Sequence, residues 1–170
     1  MKEMIGYVGS GKSTFLVNLK THDIKHVNVG FRTRIVYVFL FLLFKPNKYK
    51  YLFYFKSIKN RYIYMYLIGL KFCEKYSKHT FFLDQGFGQL IASELYLNDL
   101  PSKILYNELL KNANDNTMYF INISKEISFD RFLGRKVNKS RVLSDQDWYN
   151  YSAKIDKVLK MLNSKIFIQK

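Results

Sequence analysis

A glycine-rich segment near the amino terminus carries residue types suited to binding phosphate. The segment GYVGSGKS, residues 6–13, matches the pattern G-x-x-x-x-G-K-[ST] at every fixed position. Glycines let the backbone bend so that successive N–H groups point into one anion-sized cradle, at the positive end of the following helix. Lys12 would then reach the outer phosphates of a nucleoside triphosphate, and Ser13 would offer its hydroxyl to Mg²⁺. The candidate nucleotide-binding residues are Gly6, Gly9, Ser10, Gly11, Lys12, Ser13 and Thr14.

A second candidate is Asp84, at the end of the apolar run TFFLD. Ligands of open parallel sheets gather at the carboxyl ends of the strands, so Asp84 would meet the glycine-rich loop if their two strands are neighbours. Asp84 is then a candidate ligand of Mg²⁺, and the alternative is an acid that caps the helix beginning near Gly86. Gly86 and Gly88 would let the backbone approach a ligand closely, although an ordinary turn explains them as well.

The third group consists of arginines in and after the segment ISFDRFLGRK. On a helix, Arg131 and Arg135 lie four residues apart and project together, opposite a face formed by apolar side chains. Arg141 follows in a polar loop. Three guanidinium groups could fold over a triphosphate, which predicts a lid at residues 124–143. The alternative is a solvated basic helix face.

Hydrophobic patterning predicts strands that alternate with helices, and therefore an α/β fold with a parallel central sheet flanked by helices in a single domain, residues 1–170. The strands are expected at Lys2–Gly6, Lys25–Val29, Thr80–Asp84, Thr117–Ile123 and the carboxyl-terminal KIFIQK. The helices are expected at Lys12–Leu19, twice within Phe87–Ala113, at Ser124–Lys136, and after a capping box formed by Ser144 and Asp147.

Residues 31–79 differ from the rest of the chain in composition. They hold eleven Lys and Arg residues against one acid, Glu74, and half of the aromatic residues. This composition predicts a basic, aromatic, helical insertion that covers the acceptor of a reaction. Packing in a core is the main interpretation, and contact with an anionic membrane surface or a macromolecular partner stays open. No DNA- or RNA-binding module is recognisable, so nucleic acid is not the expected partner.

The overall composition excludes several classes of protein. With 48% apolar residues and a net charge of +15, the chain can fold around a core and favours an anionic partner. The lone Cys73 excludes an internal disulfide framework. The start MKEMIGYVG has no signal-like apolar region, and the apolar run Ile35–Phe44 is half the roughly 20 residues that span a bilayer. A cytoplasmic protein is expected, with peripheral membrane association as the open alternative.

The order of loop, strand-terminal acid and R-x-x-x-R helix resembles P-loop kinases of the nucleoside monophosphate kinase type, thymidylate kinases in particular. The resemblance implies a three-layer P-loop NTPase fold, ATP and Mg²⁺, and transfer of phosphate to a small anionic or hydroxylated acceptor. It also implies the catalytic residues Lys12, Asp84, Arg131, Arg135 and Arg141. Such enzymes hold the acceptor's phosphate with an arginine soon after the second strand, where this chain has Arg32 and Arg34.

The sequence does not identify the molecule that accepts the phosphate. The sequence LDQG lacks the Asp-Arg pair typical of thymidylate kinases, and residues 35–78 resemble no known acceptor-binding region. Two alternatives remain beside a soluble kinase of a nucleotide or another small molecule. One is a kinase at a membrane surface that acts on a lipid-linked or sugar headgroup, and the other is a nucleotide-binding regulatory module without catalysis.

Overall fold

The structure is a computed structural model that describes residues 1–12, 15, 24–26, 31–77, 80–136, 144–162 and 166–169. Residues 24–26, 31–32, 80, 135–136 and 166–169 are described by their backbone alone. Five strands form one parallel sheet in the order β2-β3-β1-β4-β5. They are β1 (Lys2–Ile5), β2 (Ile24–His26), β3 (Thr80–Leu83), β4 (Thr117–Asn122) and β5 (Ile166–Gln169). The predicted α/β fold with a parallel central sheet is confirmed.

Helices connect these strands. We number them α1 (Phe31–Phe44), α2 (Tyr49–Leu52), α3 (Ile58–Lys75), α4 (Phe87–Leu97), α5 (Lys103–Asn114), α6 (Lys125–Lys136) and α7 (Asp145–Met161), with a 3₁₀ turn at Pro46–Lys48. The two helices predicted within residues 87–113 are confirmed, since α4 and α5 are separated by a short segment that contains Pro101. A further helical turn begins at Lys12, where the Phe15 N–H donates to the Gly11 carbonyl at 3.0 Å. The rest of the helix predicted to Leu19, and of the strand predicted to Val29, lies outside the described residues.

The last helix is fixed at its start and along one face. Ser144 accepts from the Asp147 N–H and Asp147 returns a bond to the Ser144 N–H, so the predicted capping box is confirmed. Trp148, Ile155 and Val158 are fully buried. Because α7 packs along α4, its apolar stripe closes one side of the main core.

The basic aromatic segment is half core and half surface. Helices α1 and α3 cross so closely that a Cβ atom at Gly69 would lie 1.9 Å from the Tyr37 carbonyl oxygen. Phe41 and Tyr64 meet in this contact, fully buried, with ring centroids 6.0 Å apart. The opposite face of α1 is exposed, as are two side chains of the following segment; these are Ile35, Val36, Phe39, Leu42, Leu43, Phe53 and Ile58. The core interpretation therefore holds for the buried residues of α3 and for the face of α1 that packs against them, and not for the opposite face of α1.

Two further observations concern the described helices and the carboxyl edge of the sheet. Within the described ranges, none of the helices combines the length and the apolar character needed to cross a bilayer. The register of the sheet sets Glu3 of β1 beside Leu83 of β3. The segments that follow these two neighbouring strands, the glycine-rich loop and the Asp84 loop, therefore emerge together at the carboxyl edge of the sheet, as the sequence predicts.

Candidate functional site

The glycine-rich loop leaves β1 and turns sharply through two glycines. Gly9 and Gly11 have φ angles of +97° and +84°, in the left-handed region that favours glycine. Between them the Ser10 N–H donates to the Tyr7 carbonyl at 3.2 Å. The loop encloses a cleft of about 170 Å³, lined by Gln85 and Gln89 together with the loop residues Val8, Gly9, Ser10, Gly11 and Lys12.

The Lys12 ammonium lies across the mouth of this loop. It donates to the Gly6 carbonyl at 2.7 Å and the Tyr7 carbonyl at 2.8 Å, and it lies 3.5 Å from the Ser10 hydroxyl. These acceptors carry no formal charge. A phosphate oxygen that enters the cleft would offer the ammonium a stronger, charge-assisted hydrogen bond.

Helices α6 and α7 hold the loop from outside. The Val8 carbonyl accepts from the Ser128 hydroxyl and from the Trp148 indole N–H, each at 3.0 Å. A Cβ atom at Gly9 would lie only 2.3 Å from the Ser128 carbonyl oxygen, so α6 rests directly on the loop. Tyr7 donates to Asp156 of α7 at 2.6 Å. These roles of Ser128 and Asp156 could not be predicted from the sequence, because the contacts join residues more than 100 positions apart.

A second group of side chains gathers where α1 and α3 face the Asp84 loop. The Arg34 guanidinium lies 5.6 Å from the centre of the Tyr66 ring, and Tyr66 itself is 7% exposed. Burial raises the pKa of the Tyr66 hydroxyl, the positive charge of Arg34 lowers it, and the negative charge of Asp84 raises it. Because one hydroxyl experiences both charges, Arg34 and Asp84 both lie in the neighbourhood of Tyr66.

Tyr62 adds a polar group to this cluster from one helical turn away on α3. Its hydroxyl is buried and, among the described residues, has no hydrogen-bond partner. A buried hydroxyl without a partner is costly, so a group supplied by a ligand would stabilise it. Neither Tyr62 nor Tyr66 stood out in the sequence, where fourteen tyrosines offer no means of selecting two.

The structure describes only some of the remaining candidate site residues, and some of these by their backbone alone. Arg131 is exposed on α6, and Arg135 and Arg32 lie on α6 and α1 with their side chains outside the described part of the structure. Ser13, Thr14 and Arg141 lie outside the described residues altogether. The arginine lid and the serine ligand of Mg²⁺ therefore stay predictions. Phe129, Phe132 and Leu133 pack against the core as predicted for the apolar face of α6.

Gly86 and Gly88 have a different role from close approach to a ligand. A Cβ atom at Gly86 would lie 2.2 Å from the Glu3 carboxylate, and one at Gly88 would lie 2.9 Å from the Met118 side chain. Glu3 is 1% exposed and accepts hydrogen bonds from the Gly88 N–H and the Asn116 amide. The two glycines thus make room for a buried carboxyl and for core packing beneath the start of α4.

Burial is the largest influence on the pKa of Glu3 and raises it to about 7, although the N–H groups of Phe87 and Gly88, Asn116 and Lys71 each lower it. The unfolded chain releases this proton near the ordinary pKa of glutamate, and the folded chain keeps it until about pH 7. Stability is therefore lost as the pH rises between these values, by about 3 kcal/mol in total.

Replacing Glu3 with glutamine is expected to remove this dependence. Glu3→Gln should match the wild type near pH 4 and exceed its free energy of unfolding near pH 8 by about 3 kcal/mol. Urea unfolding at a series of pH values measures both. Glu126→Gln, a change at an exposed position, is the control and should keep the wild-type slope. Parallel pH profiles for the wild type and Glu3→Gln would contradict the burial of an ionisable proton at this site.

The fold is similar to those of two kinases of known structure. Deoxyadenosine kinase from M. mycoides, with dCMP as product and a flexible dCDP bound, matches 100% of this chain and 90% of its own, with a TM-score of 0.59 and 15% identity. Its dATP complex matches 98% and 89%, with a TM-score of 0.56 and 15% identity. Thymidylate kinase from Candida albicans matches 99% and 82%, with a TM-score of 0.50 and 17% identity.

This chain has the fold of the P-loop kinases. The resemblance predicted from the sequence motifs is confirmed at the level of the fold. No protein-family model matches the sequence of this chain, and no curated protein is significantly similar to it.

Proposed function

We propose that this protein is an ATP-dependent phosphotransferase whose acceptor is a nucleoside or a nucleoside monophosphate. The observation that carries the proposal is the position of the Lys12 ammonium, which donates to the Gly6 and Tyr7 carbonyls in a loop that turns through two glycines with positive φ angles. Similarity to kinases crystallised with nucleotides supports it. Phosphoryl transfer depends on positioning and charge neutralisation, and this edge of the sheet offers both.

Different groups of the glycine-rich loop would bind different phosphates of ATP. The N–H groups of Gly9, Gly11 and Lys12 would bind the β-phosphate, and Lys12 would leave its carbonyl acceptors for the γ-phosphate. The residues that would hold Mg²⁺ are Ser13 and Asp84, hard oxygen donors of the kind this ion prefers. When bound, Mg²⁺ would neutralise charge on the phosphates. Arg131, Arg135 and Arg141 would close over the triphosphate and exclude water.

The cluster of Arg34, Tyr62 and Tyr66 is the proposed acceptor site. Arg34 offers a planar guanidinium to a phosphate, and Arg32 lies two residues earlier in the same helix. The Tyr62 hydroxyl, which has no hydrogen-bond partner in the described part of the chain, would offer a hydrogen bond to a sugar or a base. Asp84, which acts electrostatically on the same cluster, would orient an acceptor hydroxyl if it does not hold Mg²⁺.

Replacing Arg34 with alanine is expected to raise KM for a nucleoside monophosphate by about tenfold or more, because a bidentate contact with its phosphate is lost. KM for ATP should stay within about twofold, since Arg34 lies on the acceptor side. A panel of deoxynucleosides and their monophosphates, assayed with labelled ATP, measures both constants. Lys59→Ala, which removes an exposed charge from the start of α3, is the control. Equal effects of the two variants on acceptor KM would contradict the proposed site.

A second candidate function rests on the exposed apolar residues of the basic segment. Phe53, directly after α2, and Ile58, the first residue of α3, are each 81% exposed, and Lys56 and Lys59 lie beside them in the sequence. Exposed aromatic and aliphatic side chains among lysines suit the interface of an anionic membrane. This arrangement supports a kinase that works at a membrane surface on a lipid-linked or sugar headgroup.

Co-sedimentation with vesicles tests this second candidate. Phosphatidylserine-containing vesicles should bind the protein at low salt and release it at high salt, because surface attraction is screened over about 8 Å at physiological ionic strength. The Phe53→Ser/Ile58→Ser variant should lose binding. Leu100→Ser, at an exposed leucine outside the segment, should keep it. Absence of binding at low salt removes the membrane candidate and leaves the nucleotide kinase.

A further inference from the structure

A second cavity lies at the edge of the sheet where the strands begin, opposite the edge that carries the glycine-rich loop. Its volume is about 540 Å³, roughly three times that of the loop cleft. Met1, which precedes β1, and Asn116, which precedes β4, line it, so it lies at the amino edge of these strands. Lys45, after α1, and the last two turns of α3 complete much of its wall.

The lining of this cavity is strongly basic. Five lysines and the terminal ammonium of Met1 face two carboxylates; the lysines are Lys45, Lys48, Lys71, Lys75 and Lys111. Ile68 and Phe72 supply apolar surface beside them. A volume in this range is typical of sites that hold a small organic molecule.

The acidic groups nearby neutralise only part of this charge. Glu74 is bound by the Met1 ammonium at 2.8 Å, and Asp115 by Lys71 at 2.9 Å. Lys48 is held by Glu108 at 2.7 Å.

The other three lysines of the cavity, Lys45, Lys75 and Lys111, have no carboxylate in salt-bridge contact among the described residues. Lys45 lies instead 5.0 Å from the centre of the Phe72 ring. Positive charges gathered around one cavity repel each other, and an anion bound between them would relieve that repulsion.

We propose that this cavity is a second anion-binding site, for a soluble small molecule that carries two or more phosphate groups. The lysines would bind the phosphates as point charges, and Ile68 with Phe72 would contact the apolar part of the ligand. The site is separate from the loop cleft, because the two cavities share no lining residue and lie at opposite edges of the sheet. The proposal does not rest on kinase activity.

Calorimetric titration with inorganic pyrophosphate tests this site without a divalent metal. The measurement uses the Lys12→Ala chain, which weakens binding at the glycine-rich loop. Adding Lys75→Gln and Lys111→Gln to this chain should weaken pyrophosphate binding by about tenfold or more. The matched control adds Lys103→Gln and Lys160→Gln, which remove the same charge from exposed helical positions outside the cavity, and should change the Kd by less than about twofold.

Three results would overturn the proposal. The first is that Lys12→Ala binds no pyrophosphate at all, and the second is that the cavity and control variants weaken binding equally, as net charge alone would do. The third is that pyrophosphate fails to bind while vesicles containing phosphatidic acid bind in a way that depends on Lys75 and Lys111, since the phosphate source is then a lipid headgroup. Selective loss in the cavity variant supports a site for a soluble anion.

Discussion

Lys12→Ala should lower kcat for phosphoryl transfer by about 10²–10³-fold, the effect of removing one preorganised charge from a transition state. The ammonium lies at the mouth of the glycine-rich loop, and in the proposed reaction it stabilises charge that develops on the transferred phosphoryl group. Steady-state assays with saturating ATP and acceptor measure the loss.

A control separates this chemical effect from a structural one. Lys12 also bonds to two loop carbonyls, so its removal could loosen the loop. Lys12→Met keeps most of the side-chain volume and should lose kcat as severely as the alanine variant, while its urea midpoint stays close to that of the wild type. Lys103→Ala, at an exposed lysine of α5, should leave kcat unchanged. Near wild-type turnover in either Lys12 variant would remove this residue from the mechanism.

Gly9→Ala is expected to be the most disruptive single change in the loop. An added Cβ would lie 2.3 Å from the Ser128 carbonyl oxygen, and the φ of +97° disfavours any side chain. The strain should cost about 1–3 kcal/mol of stability, and the displaced loop should lose affinity for ATP by more than about tenfold. Thermal unfolding and ATP titration measure the two effects.

Gly134→Ala is the matched control for this substitution, because Gly134 lies in α6 itself and a Cβ there would meet nothing within 4 Å. Alanine should stabilise that helix by about 0.5–1 kcal/mol, since glycine is a poor helix former. If the two variants lose stability and ATP affinity alike, the close packing of α6 on the loop is refuted.

The sequence predicted those parts of the site that short-range patterns encode. The spacing of glycines with Lys12 and Ser13 is local, so the loop was evident from one segment. The capping box at Ser144 was evident for the same reason. The alternation of strands and helices then limited the ways in which Asp84 and the loop could meet.

Contacts between distant residues could not be read in this way. Glu3 is one charged residue in a short strand, and only the fold shows that the segment after β3 covers it. Arg34 was a candidate from its position after the second strand, but its partner Tyr66 depends on how α1 crosses α3 at Gly69. The sequence also does not predict which face of α1 is exposed, because a helix that is apolar on all sides does not indicate which side is buried.

The most direct test of the proposed function asks where the γ-phosphate goes. Incubation of the protein with Mg²⁺, labelled ATP and the panel of deoxynucleosides and monophosphates separates transfer to an acceptor from release to water. We expect label on at least one acceptor, with release to water a minor product, and loss of that transfer in Lys12→Ala. ATP binding without transfer to any acceptor, or slow hydrolysis alone, would contradict the kinase proposal and favour a nucleotide-binding regulatory module.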